Sequence, residues 1–136
     1  MIIDFIVYAK SSRAAAVQLE NSLNTDRLAC PGELVIFTCT TRETPILEWF
    51  SEEYIGTGGD RLQILSESAR NTSSITPDAV AVRINVSSEN GVTVIVSELR
   101  IIASIKYPTA TVSCSNGDQR FIQNITFRTF GKTLID

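Results

Sequence analysis

"CPGELVIFTC", residues 30–39, holds two of the chain's three cysteines, and its reading decides how the rest is understood. Pro31-Gly32 signals a turn, since proline presets φ at one turn position and glycine accepts the positive φ of the next. Beyond the turn, Val35, Phe37 and Cys39 alternate with Leu34, Ile36 and Thr38, which is the period of a strand with one buried face. Both Cys30 and Cys39 are candidates to pair with the third cysteine, Cys114, and this stretch alone leaves the choice open.

The same alternation runs outward along the chain. "ILEWF", residues 46–50, sends Leu47 and Trp49 to one side and Ile46, Glu48 and Phe50 to the other. In "AVAVRINVS", residues 79–87, the larger apolar side chains fall on Val80, Val82, Ile84 and Val86, so that face is expected to be buried against Ala81, Arg83, Asn85 and Ser87. Asn90-Gly91 follows, and a type I′ turn there would pair 79–87 with 92–102. Along 92–102 the apolar parity changes between Val96 and Leu99, which predicts a bulge or strand end near Ser97. "TATVSC" and "RFIQNITFRTF" make a last hairpin across "SNGDQ", residues 115–119. The fold class is therefore all-β.

Composition narrows the function. The chain has 136 residues, 43% hydrophobic and 20% charged, enough for one domain with a real core. A formal charge of -3 with scattered Lys and Arg opposes a nucleic-acid partner. The absence of histidine removes Ser-His and Cys-His catalysis and His-ligated metal sites. "GTGGD", residues 56–60, lacks the spacing of a phosphate loop and reads as a turn, so no cofactor is expected. No run approaches the length of a membrane span. Residues 1–24 read as a separate N-terminal segment. Its alternatives are a degenerate signal peptide, with "RAAAV" as a cleavage pattern, or a loose helix over Ser12 to Leu23.

Gly32, Val35, Phe37, Cys39, Trp49, Leu99, Ile101, Ala110 and Cys114, taken in order within residues 25–131, together resemble an immunoglobulin-superfamily domain. Gly32, Val35, Phe37 and Cys39 fall on that family's strand B pattern G-x-x-V-x-L-x-C, and Trp49 stands ten residues later at the strand C tryptophan. Leu99 and Ile101 match the L-x-I of strand E, and Ala110 and Cys114 match D-x-A-x-Y-x-C of strand F. The resemblance implies a two-sheet antiparallel β-sandwich with an N-terminal extension and a short tail over 132–136. It also implies a Cys39–Cys114 disulfide packed against the core Trp49. On the chain-entropy account, closing that loop stabilises the fold by about 4 kcal/mol. Pro108 and Val112 replace the family's aspartate and tyrosine, so the tyrosine corner is absent and that end must be held otherwise. The room between Trp49 and Leu99 suits a variable-like strand set.

Cys30 and Cys39 do not bridge readily, because the strand from Gly32 to Cys39 spans roughly 23 Å, against a disulfide Cα separation near ~6 Å. With Cys39 paired to Cys114, Cys30 is left for a bridge to a neighbouring domain or chain, or remains a buried inert thiol. Asn71, Asn85 and Asn124 begin N-x-S/T triplets and are candidate N-glycosylation sites, Asn71 in the polar stretch "RNTSSITPD", residues 70–78, which reads as a loop. Ile46, Phe50 and Ile122 fall on one outer face and form a candidate protein-binding surface, with the loops "TTRETP", residues 40–45, and "SNGDQ" as the other. A glycan on Asn124 and docking on that face would largely exclude each other. Adjacent Glu52 and Glu53 offer no paired-carboxylate site. The resemblance implies a non-catalytic extracellular recognition or adhesion module from a larger protein, with an unidentified protein partner. The alternative is a structural spacer without a ligand of its own.

Overall fold

A computed structural model describes residues 15–55, 61–66, 72–76 and 78–131. Among these, ten strands occur and no helix: β1 Val17–Asn21, β2 Leu28–Ala29, β3 Leu34–Arg42, β4 Ile46–Phe50, β5 Arg61–Leu65, β6 Thr72–Thr76, β7 Ala79–Glu89, β8 Val92–Ile102, β9 Thr109–Ser115 and β10 Ile122–Thr129. They form two five-stranded sheets, in the orders β1-β3-β8-β7-β6 and β2-β10-β9-β4-β5. Every pairing is antiparallel except the short parallel contact of β2 with β10. The protein is an all-β, two-sheet sandwich.

The core lies between the sheets and is built chiefly from the inward faces of β3, β4, β7, β8, β9 and β10. Val35, Phe37 and Cys39 of β3, and Leu47 and Trp49 of β4, are fully buried as their alternation requires. Phe37 meets Phe127 of the opposite sheet with ring centroids 5.6 Å apart. Cys39 is bonded to Cys114 across the gap, with Cα atoms 6.5 Å apart. Asn90 and Gly91 have φ of 53° and 81°, the positive values a type I′ turn needs, and Glu89 pairs with Val92 across it.

Three sequence expectations are corrected. Residues 17–21 are neither a loose helix nor outside the domain: β1 pairs with β3 over Val17↔Thr41 to Asn21↔Phe37, and Val17 is buried. Thr72–Thr76, read as a polar loop, is an edge strand on β7. The third correction concerns β7 and β8. No bulge interrupts β8 itself, whose core face is odd from Ile95 onward: Ile95, Ser97, Leu99 and Ile101 are buried there, while Val94, also buried, stands outside the core cluster. The irregularity expected near Ser97 is present, but the partner strand carries it: Arg83 pairs with Ser97 and Asn85 with Val96, leaving Ile84 between them in β7 49% exposed. Before it, Ala79 and Ala81 face the core opposite Ile101 and Leu99, and Val80 and Val82 turn outward. After it, Val86 packs on the core as expected.

Ser97 is the polar residue that disguised the parity of β8. Its hydroxyl accepts the Trp49 indole N–H at 3.0 Å and donates to the Val82 carbonyl at 2.7 Å. That relay crosses from one sheet to the other and satisfies an indole that is otherwise entirely buried.

The end of the sandwich expected to lack a tyrosine corner is held by Tyr54, from the turn after β4. Its ring is 1% exposed, lies edge-on to Tyr107 at 4.9 Å and stacks at 6.1 Å on Phe127. The Ser104 backbone N–H donates to its hydroxyl oxygen at 3.1 Å. Burial pushes the Tyr54 phenol above its usual 10.0, only partly opposed by that hydrogen bond.

Two outcomes follow. Ser97→Ala leaves the buried Trp49 N–H without an acceptor and costs about 1–3 kcal/mol in denaturant unfolding. Tyr54→Phe costs about 1–2 kcal/mol at neutral pH. Because the fold favours the neutral phenol, the unfolded chain deprotonates first as pH climbs past 10.0. Wild-type stability from this residue is complete below that pH and falls above it. The thermal-midpoint gap between wild type and Tyr54→Phe therefore stays constant up to about pH 10 and narrows beyond it.

Candidate recognition surfaces

The second sheet presents an outer face on which β4, β9 and β10 lie side by side. Alternation places Ile46, Glu48 and Phe50 of β4 there, beside Ser113 and Ser115 of β9 and Ile122 and Asn124 of β10. Ile46, Phe50 and Ile122 thus share one face as expected. Phe50 and Ile122 border a shallow depression of ≈ 240 Å³, together with Glu48, Ser113, Ser115 and Asn124. Ile46 is not part of it. It lies beside Gly117, where an added Cβ would stand 3.7 Å from its Cγ2. Glu48 accepts hydrogen bonds from Gln63 at 2.7 Å and from Ser115 at 3.3 Å, so its carboxylate is anchored to both neighbouring strands.

The second surface is the end formed by the β3–β4 and β9–β10 loops. β3 runs on to Arg42, so the first loop is shorter than the sequence suggests. Asn116 ties the two loops together and is 1% exposed. Its Nδ2 donates to the Arg42 carbonyl at 3.0 Å, and its Oδ1 accepts the Asp118 N–H at 3.1 Å. Its own carbonyl accepts the Thr44 hydroxyl. Between these anchors Glu43 is held at φ 80°, a costly conformation for a residue with a Cβ. Sequence reading marked "SNGDQ" only as a loop. The Asn-x-Asp spacing is the local signal that an asparagine turns back on its own backbone here.

Charge is displayed at the tip of this end. Asp118 and Arg120 pair at 2.8 Å, and the guanidinium holds the Asp118 carboxyl at about 2, below its usual 3.8. Arg120 is itself pushed up by the same pairing, and its guanidinium sits 5.4 Å from the centroid of the Phe121 ring. Its side chain is 80% exposed. Arg42 reaches back to the Ala15 carbonyl at 3.2 Å and to Gln18 at 3.3 Å, linking the loop end to the start of β1.

Cys30 is an exposed free thiol, so its reading as a buried inert residue is overturned. It opens the turn it shares with Pro31 and Gly32. The Glu33 N–H donates to the Cys30 carbonyl at 3.0 Å, Gly32 has φ 86°, and the Gly32 N–H donates to the Ala103 carbonyl at 2.8 Å. This is a turn of type II with proline and glycine in its two central positions. It carries the thiol to the surface because β2 ends at Ala29, which is buried. Asn85 is exposed just beyond the β7 bulge, and Asn71 lies outside the described residues.

Glu53 accepts from the Ser51 hydroxyl at 3.2 Å and from the Thr111 N–H at 3.3 Å, which occupies it in shaping the turn that places Tyr54. Among the described residues, no group of three or more His, Cys, Asp or Glu could hold a metal ion. No helix there is long and apolar enough to cross a membrane.

Asn116→Ala removes the bonds of its amide to Arg42 and Asp118 from a buried position. It is expected to destabilise the protein by about 2 kcal/mol in denaturant unfolding and to raise amide exchange in both loops. Asp118→Ala at the tip should leave β3–β4 loop exchange unchanged. No family model, curated protein or solved structure matches this chain.

Proposed function

We propose that the chain is an immunoglobulin-like domain of variable-like type, serving as a non-catalytic extracellular recognition or adhesion module within a larger secreted or membrane-anchored protein. The strand order supports the family reading. The series β1-β3-β8-β7 and β10-β9-β4-β5 correspond to A-B-E-D and G-F-C-C′, with a disulfide between B and F against a tryptophan on C. β6 departs from the variable pattern by pairing with β7 instead of extending the sheet beyond β5. An internal disulfide supports an oxidising, extracellular setting.

The observation that carries the recognition reading is the loop end knitted by Asn116. In variable domains the loops between strands B and C and between F and G form the binding end. Here those loops are cross-linked by hydrogen bonds before any partner arrives, so little ordering cost remains to be met on binding. The exposed Cys30 favours the spacer reading, in which a disulfide to a neighbouring domain or chain holds this domain in place.

Tetramers of the secreted chain, applied to an array of ectodomains from the same source, test the two readings. Recognition predicts saturable binding that falls at least about tenfold in a combined Arg120→Ala and Phe121→Ala variant and is unaffected by Phe50→Ala, away from the loop end. No binding, together with a covalent dimer that disappears on reduction and in Cys30→Ser, supports the spacer instead.

A further inference from the structure

Asn124 begins the triplet Asn124-Ile125-Thr126, and it stands in the middle of β10. Its neighbour on β9, Ser113, donates its hydroxyl to Asn124 Oδ1. This bond orients the amide through its oxygen and leaves Nδ2 with no hydrogen-bond partner among the described residues. Nδ2 is the atom through which a sugar is attached. The asparagine itself borders the ≈ 240 Å³ depression, beside Phe50, Ile122, Ser113, Ser115 and Glu48.

We propose that Asn124 carries an N-linked glycan whose first N-acetylglucosamine is seated in this depression. The inference rests on the extracellular reading, because the transfer takes place in the secretory compartment. There the amide nitrogen forms a bond to C1 of the incoming sugar, and the C1–O bond to its lipid diphosphate carrier breaks. The diphosphate leaves with the bonding electrons, and one amide proton is released. Oδ1 is not altered, so the Ser113 hydrogen bond survives the modification.

A pyranose has an apolar face of C–H groups and a rim of hydroxyls. The depression offers both complements: Phe50 and Ile122 for the C–H face, and Ser113, Ser115 and Glu48 for the rim. Attachment through Nδ2 makes these contacts intramolecular, so individually weak ones are enough. The seated sugar covers Phe50 and Ile122, removing this face from the candidate partner surfaces and leaving the loop end open.

The test uses the full chain, secreted behind a leader from cells that make only high-mannose glycans. Peptide mapping after enzymatic deglycosylation in heavy-oxygen water should find Asn124 occupied. Protein trimmed to a single N-acetylglucosamine should melt about 2–5 °C above Asn124→Gln. In Phe50→Ala, and separately in Ile122→Ala, that gap should shrink to under about 1 °C. An unmodified Asn124 overturns the proposal, as does the absence of a gap or a gap of the same size in both variants. Because the leader imposes secretion, an unmodified Asn124 leaves the recognition reading standing. Failure of loop-end binding with Asn124 occupied sinks only that reading.

Discussion

An indole N–H withdrawn from water must find an acceptor, and in this protein that requirement organises both sheets. Trp49 lies in the gap between them, and its nitrogen is satisfied by a hydroxyl brought to a core position of the opposite sheet. Ser97 does so, at a place where every neighbour on its face of β8 is apolar. The hydroxyl must in turn donate its own O–H, and it does so to the Val82 carbonyl, one residue before the irregularity in β7. The cross-sheet disulfide lies next to this relay, since Cys39 pairs with Ser97 and Cys114 pairs with Trp49 in their ladders. One covalent and one polar link therefore join the same rung of one sheet to the same rung of the other.

The strands that were legible in the sequence are those whose burial is one-sided and uninterrupted. β3, β4 and β9 alternate cleanly because one face of each meets the core along nearly its whole length, and β10 does so from Ile125 onward. β7 misled because size and burial part company there. Ala79 and Ala81 fill the core opposite Ile101 and Leu99, where a large partner leaves room only for a small one, while the valines stand outside. β8 misled for the opposite reason, with a polar residue buried on account of its hydrogen bonds. Ile46, Phe50 and Ile122 were placed on one face by period alone. Asn116 and Tyr54 carry no period, since they work from irregular segments through contacts far apart in sequence.

Those two residues give the sandwich two differently built ends. At one, Tyr54 packs aromatic rings over the base of the core and takes a backbone N–H from the loop before β9. At the other, Asn116 replaces packing with amide hydrogen bonds to neighbouring loops. An apolar closure excludes water and gives little to a polar partner. A hydrogen-bonded closure keeps its shape while leaving charged side chains such as Arg120 at the surface.

The parallel contact of β2 with β10 has a mechanical consequence. The bonds there include the Arg128 N–H to the Arg27 carbonyl and the Phe130 N–H to the Ala29 carbonyl, joining an early strand to the last one side by side in the same direction. Tension drawn backward along β2 and forward along β10 acts parallel to the strands and across these bonds. They are sheared together and share the load, whereas an antiparallel pair pulled from one end would unzip a bond at a time. The contact is short, yet its orientation is the one that lets a few backbone hydrogen bonds resist stretching as a group.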